Sequence, residues 1–432
     1  MSAQARDVVV IGGGLAGLGT AAFAARAGLR VELVERAASL GGRAATTWCD
    51  GFAFNRGPHA LFHAGEAMSV LRDLGVPVPG GVPPSHGFAL KDGKLHRLPT
   101  AFGSLLTSGL LSLRHKVVAA ECLTKIPKLD DESVANDSVA SWLARMGLPP
   151  EVRALIEAFV RLSTYGNAPE SFSAKTALGQ LKRAQAGVTY VDGGWQTLVD
   201  GLAERAAGYG ATLTTGVRAT SLDGDGPYLV TLDDGRTFAT DAVVLATSPL
   251  MASTLLAPRA PSTRRGLASV VPICMASLTV ALRRLPRREP RFVLGVDRPF
   301  YLSVHSGVAK VAPDGGALVH VGKYLPPGPR DADSDRVELE SLLELAQPGF
   351  RDVLMHAEYL PQIRVVERLD LASERGAEGR PPLEVPELPG VYLAGDWVRG
   401  EEWLADASLA SSRRVAERIV ASARRVPARA VA

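Results

Sequence analysis

Gly12, Gly14 and Gly17 stand in the spacing G-x-G-x-x-G, within Gly12-Gly13-Gly14-Leu15-Ala16-Gly17, and an acid, Glu35, follows 18 residues later. Glycine at the first position permits a tight turn, at the second a close approach of backbone to a pyrophosphate, and at the third close packing of helix on strand. Leu15 and Ala16 open the helix whose N-terminus faces the phosphates. Glu35 can accept hydrogen bonds from a ribose diol. Its neighbour Arg36 would suit a 2′-phosphate, but the acid ahead of it favours a free 2′-hydroxyl. The chemistry is the binding of an adenine dinucleotide, with flavin and nicotinamide both open at this point.

The flanking elements suit that site. Val8-Val9-Val10-Ile11 is a short β-branched apolar run, as a buried parallel strand requires. The Ala-rich stretch from Leu18 to Ala27 reads as a helix ended by Gly28, and Val31–Val34 as a second strand closing at Glu35. The strand, turn, helix, strand and acid thus occur in the order that a dinucleotide-binding βαβ unit needs.

After Glu35 comes Ala37-Ala38-Ser39-Leu40-Gly41-Gly42-Arg43, a second glycine pair followed by an arginine. Here the chain resembles the flavin amine oxidase superfamily, which includes protoporphyrinogen oxidases and phytoene desaturases. The resemblance implies that FAD is the cofactor, that Gly41 and Gly42 approach its pyrophosphate, and that Arg43 sits beside the phosphates or the flavin ring. Gly51-Phe52-Ala53-Phe54-Asn55-Arg56-Gly57-Pro58-His59 is similar to the segment that passes near the isoalloxazine, with Asn55 where an acid is usual. It implies cofactor contacts at Gly57, Pro58 and His59, and makes His59 a candidate flavin-face residue. Tyr190–Trp195, with Leu198 and Leu202, resembles the return to the dinucleotide domain, and Val217 the residue whose backbone contacts adenine.

At the other end, Gly390–Asp396 is an apolar strand closing in Gly395-Asp396. The resemblance implies that Asp396 accepts hydrogen bonds from the ribityl chain. The helix from Asp406 to Glu417 would aim its N-terminus, around Ala407, at the flavin pyrimidine. Ala407 and Ser412 replace two glycines of the family pattern. Two further catalytic candidates follow from the resemblance. Lys323 is a candidate for the lysine that amine oxidases hold near flavin N5, and Trp403 for an aromatic wall.

The fold expected is α/β: a Rossmann-type FAD-binding domain with a central parallel sheet, and a discontinuous α+β substrate-binding domain. The FAD-binding domain is read as residues 1–63, 189–250 and 386–432, and the substrate-binding domain as 64–188 and 251–385. Polar, linker-like composition is read at 326–336 and 372–382. Composition narrows the rest. The 432 residues are 46% hydrophobic and 22% charged, too apolar for a disordered chain. A net charge of +3 from 48 basic and 45 acidic residues is too balanced for a nucleic-acid binder. Cys49, Cys122 and Cys274 form neither a CxxC pair nor a metal-ligand cluster, and no metal is expected. With no secretory signal read at the N-terminus and no apolar run of roughly 18 residues, a cytoplasmic protein is expected.

No second G-x-G-x-x-G occurs, so electrons are expected to come from a small hydrophobic organic substrate and to leave to dioxygen or a quinone. The leading expectation is desaturation of a tetrapyrrole, isoprenoid or secondary metabolite by hydride transfer to flavin N5. An amine oxidase and a non-redox FAD isomerase are the alternatives. The apolar stretch 104–113 resembles a region that in protoporphyrinogen oxidases guides lipophilic substrates or touches membrane. It carries the expectation of a peripheral contact with the inner membrane face, against a core helix.

Overall fold

The computed structural model describes residues 3–100 and 102–425. Strand β1 (Gln4–Ile11), helix α1 (Leu15–Arg26) and strand β2 (Val31–Glu35) form the amino-terminal βαβ unit, with β1 and β2 parallel. The side chains of Val8, Val9 and Val10 are fully buried, as the run of branched apolar residues requires. The sheet continues from β2 to the parallel strand Thr212–Thr215, and from β1 to β3 (Thr237–Leu245). β3 runs unbroken through Asp241 for nine residues. Its first half pairs antiparallel with Tyr228–Leu232, and its second half pairs parallel with Val391–Leu393, whose chain leads into Gly395-Asp396.

A second seven-stranded sheet is built from the intervening chain. Its centre is β4 (Ile273–Leu282), β5 (Phe300–Val304) and β6 (Ala317–Leu325), all antiparallel neighbours in the order β4, β6, β5. One face packs Leu278, Val280, Val319 and Val321 against Leu339, Leu342 and Leu343 of helix α2 (Ala332–Ala346). The stretch read as a polar linker at 326–336 therefore ends inside α2. The opposite face carries Ser277, Thr279, Tyr301, His320 and Tyr324.

Helix α3 (Leu404–Arg425) returns to pack on α1. An added Cβ at Gly19 would lie 2.4 Å from Ser412 Oγ, so the missing side chain on α1 makes room for the serine that replaces a family glycine. In the segment expected to guide substrate or touch membrane, Leu105, Leu110 and Leu111 are buried in a core with Trp142 and Leu155. Leu106, Leu113 and Val117 are exposed. No helix among the described residues is long and apolar enough to cross a membrane.

Candidate functional site

The glycine loop between β1 and α1 shows why glycine stands where it does. Gly12 has φ 113°, and a Cβ there would sit 2.4 Å from the Ala246 carbonyl oxygen. A Cβ on Gly17 would lie 1.8 Å from the Gly12 carbonyl oxygen, so α1 crosses its own turn in contact. Gly14 is different: an added Cβ there meets only the Gly41 oxygen at 3.9 Å. Gly14 and Gly41 form a parallel bridge, and the Gly41 amide donates to the Gly13 carbonyl at 2.8 Å. The two glycine turns thus lie side by side at the N-terminus of α1, which starts at Leu15 with Gly14 as its cap and no side-chain partner. Unpartnered amides at a helix N-terminus beside uncrowded backbone form a cradle for a pyrophosphate. The residues fit a dinucleotide.

Glu35 has a second role that the motif did not announce. One carboxylate oxygen accepts from the Gly13 amide at 2.7 Å and the other from the Ala37 amide at 2.8 Å. Val217 stands beside it, its amide donating to the Glu35 carbonyl at 3.1 Å. Each carboxylate oxygen keeps a lone pair for a ribose hydroxyl, while the bonds already made hold the glycine turn in shape. Arg36 is exposed.

Arg43 and Asp396 meet. Arg43 donates through Nη1 to Oδ2 at 2.7 Å and through Nη2 to Oδ1 at 2.8 Å, and its Nη1 also donates to the Val365 carbonyl. Partial burial opposes the guanidinium's charge, but the Asp396 carboxylate outweighs it and raises the pKa. The Glu367 amide also donates to Asp396 at 3.3 Å. Gly395 is pinned to α3 by Ser411, whose hydroxyl accepts from its amide at 3.0 Å. Ala407 is buried in the first turn of α3.

The Gly57–His59 segment lies against the polar face of the second sheet. A Cβ on Gly57 would be 3.7 Å from Ser277 Oγ, and Tyr165 donates to the Pro58 carbonyl at 3.1 Å. His59 Nδ1 is 2.9 Å from the Gly57 carbonyl, which can only accept, so a hydrogen sits on Nδ1. Burial lowers the pKa of this imidazole, keeping it neutral. Trp195 packs on the ring at 4.7 Å. Asn55, in place of the usual acid, accepts from the Trp195 amide at 3.0 Å and from the Thr46 hydroxyl at 2.7 Å. It ties this segment to the returning chain.

Two sequence candidates are corrected. Lys323 alternates with Tyr324 along β6 and points to the other face, where Nζ donates to Asp335 at 2.7 Å and Glu338 at 2.5 Å. Burial opposes its charge, the two carboxylates prevail, and the ammonium is held above its ordinary range. It braces α2 and does not face the Gly57–His59 segment. Trp403 is fully buried, donates from Nε1 to the Thr164 carbonyl at 3.0 Å and lies 5.7 Å from Phe172. It is a core residue.

Two residues have roles that the sequence did not announce. Arg380, inside the supposed linker 372–382, is fully buried in a bidentate pair with Asp370 at 2.8 and 2.7 Å. Its Nη1 donates to the carbonyls of Gly400 and Glu402, both at 3.0 Å, and so fixes the loop between Asp396 and α3. Asp406 is 2% exposed, and burial pushes its carboxyl up to about 6 although the Ala67 amide donates to it at 2.8 Å. Neither role leaves a local pattern, because both depend on partners distant in the chain.

Residues 15–280 match the model of the flavin containing amine oxidoreductase family. The chain belongs to this family. Coproporphyrinogen III oxidase of Propionibacterium freudenreichii subsp. freudenreichii is 26% identical over 96% of this chain and 94% of its own length. A carotenoid 3,4-desaturase of Haloarcula japonica is 50% identical over 52 residues, 12% of this chain and 10% of its own. Among solved structures, a putrescine oxidase variant superposes with TM-score 0.78 at 17% identity, covering 98% of this chain and all of the other. That last likeness bears on the fold alone. As a member of this family the protein is an FAD-dependent oxidoreductase.

Proposed function

We propose that this oxidoreductase dehydrogenates a partly reduced cyclic tetrapyrrole, with dioxygen or a quinone as the electron acceptor. The observation that carries the reading is the near end-to-end match with coproporphyrinogen III oxidase, which extends through the substrate-side segments as well as the FAD motifs. The 52-residue desaturase match is too short to speak for a substrate. The amine reading loses its two candidate residues, since Lys323 faces α2 and Trp403 is sealed in the core.

A bound FAD would supply the hydride acceptor. The chain's own residues prepare for that. Gly12, Gly14, Gly17 and Gly42 provide the pyrophosphate cradle, and Glu35 and Val217 the adenosine end. Arg43 and Asp396 form the charged clamp that meets the ribityl and ring end. His59, a neutral imidazole, is the candidate to relay the proton that leaves a pyrrole nitrogen as a meso bridging carbon gives up its hydride. Any peripheral contact with a membrane falls to Leu106, Leu113 and Val117, because Leu110 and Leu111 are core. Vesicle flotation of Leu113→Ser against the parent tests it, and equal flotation of the two discards it.

The substrate is tested by supplying coproporphyrinogen III in air and following porphyrin fluorescence and product mass, with putrescine in parallel. Porphyrin formation above the uncatalysed rate supports the reading. Peroxide released only with the amine would replace it with the amine oxidase.

A further inference from the structure

The face of the second sheet turned toward Gly57–His59 is unusually polar for a buried surface. Register sets Thr279, His320 and Ser303 side by side across β4, β6 and β5, with Ser277, Gly322 and Tyr301 in the next row. Met275 and Tyr324 follow in the row beyond. His305, one residue past β5, stacks on Tyr190 at 3.8 Å and lies 4.4 Å from His320. Thr279 Oγ1 and His320 Nδ1 are hydrogen-bonded at 3.0 Å, and Tyr301 donates to Ser303 at 2.7 Å.

Four buried atoms on this face have no hydrogen-bond partner in the protein: Ser277 Oγ, His305 Nε2, His320 Nε2 and the Tyr324 hydroxyl. Twelve such atoms occur among the described residues, and these four come from three neighbouring strand segments. Their residues are at most 2% exposed. An unsatisfied buried polar group is costly, and native chains hold few of them, so four together call for a reason. Their position supplies one. Ser277 reaches toward Gly57, and Tyr324 lies 5.8 Å from Tyr165, the residue bonded to Pro58. Burial keeps both imidazoles uncharged, His320 at about 3 and His305 well below its ordinary value. The four groups therefore present neutral donors and acceptors amid aromatic and apolar side chains.

We infer that Ser277, His305, His320 and Tyr324 form the polar wall of the substrate site and hydrogen-bond a ligand carrying several N–H or O–H groups on an apolar body. A hydrocarbon polyene cannot satisfy this wall, whereas a tetrapyrrole can. The inference rests on the oxidoreductase reading and narrows the substrate within it. The four atoms are closed off from solvent, so a ligand reaches them only when side chains packed over them move aside.

Ser277→Ala and Tyr324→Phe each delete one orphaned group at nearly constant volume. With coproporphyrin III as the probe on the FAD-loaded protein, read by fluorescence quenching, each variant should bind about 5- to 15-fold more weakly. Each should also unfold at a higher temperature than the parent when no probe is present, which a merely structural hydroxyl would not produce. Lycopene, which has no hydrogen-bonding group, should bind parent and variants alike. Coproporphyrin affinities within twofold of the parent, or variants that melt lower, overturn the wall and leave the tetrapyrrole reading standing. If putrescine binds in place of the porphyrin and both variants weaken it, the wall stands and the tetrapyrrole reading is lost. A parent that binds neither polar probe overturns the wall.

Discussion

Arg43 and Asp396 are 353 residues apart and close on each other through two hydrogen bonds, at 2.7 and 2.8 Å. The pair joins the second glycine turn to the strand that ends the dinucleotide sheet, so both ends of the chain position one clamp. Asp396 is 1% exposed and Arg43 is half-exposed, so the acid has more to lose when its partner goes. Asp396→Asn keeps the shape and removes the charge. It should lower FAD occupancy and slow flavin reduction together, measured by FAD titration and anaerobic stopped-flow. Unchanged values in both would remove the clamp from the cofactor site.

Glu35 should behave differently. Its carboxylate holds the Gly13 and Ala37 amides, and the proposed reading gives it the adenosine ribose as well. Glu35→Ala should weaken FAD binding roughly 10- to 150-fold, from about 1.5–3 kcal/mol for a charge-assisted bond. Turnover at saturating FAD should stay near the parent value, because the ribose is remote from N5.

Lys323→Met separates a bracing lysine from a catalytic one. Asp335, 4% exposed, would keep only Arg330 at 3.4 Å, and stability should fall by about 1–3 kcal/mol in urea unfolding. The rate of flavin reduction should not change; a large loss of rate at full folding would return Lys323 to the flavin.

Asp406 makes a pH prediction. Its folded value of about 6 lies above the ordinary 3.8, so the folded state binds the extra proton between those limits. Stability from this group therefore falls as pH rises through that window, by about 3 kcal/mol in all, and the penalty is complete above it. Asp406→Asn should remove that slope. Compared with the parent, the variant should gain stability at about pH 7.5 and gain nothing at about pH 4.

The parts of the fold legible in the sequence were those with local cause. Gly12 and Gly17 are required by contacts within a few residues or with a neighbouring strand, and the run Val8–Ile11 is buried on both faces. Gly395-Asp396 was legible as a strand end, though its partner Arg43 was not, because pairing across 353 residues leaves no spacing to read. The supposed linker 372–382 failed for another reason: Arg380 reads as a surface charge, and only tertiary packing shows that Asp370, ten residues earlier, neutralises it inside the core. Lys323 was misplaced because a strand alternates faces at every residue, and sequence alone did not say which face meets the cofactor. Leu110 and Leu111 could be read as lipid-facing or, as short apolar runs more often are, buried, and tertiary packing puts them in the core.

On the proposed reading, a hydride passes from a reduced tetrapyrrole to the FAD that this chain holds. Anaerobic mixing of the FAD-loaded protein with coproporphyrinogen III tests it in a single turnover. Bleaching of the oxidised flavin band in step with the rise of oxidised tetrapyrrole absorbance is the predicted result. A fully loaded flavin that stays oxidised with coproporphyrinogen III, yet bleaches with putrescine, would contradict it.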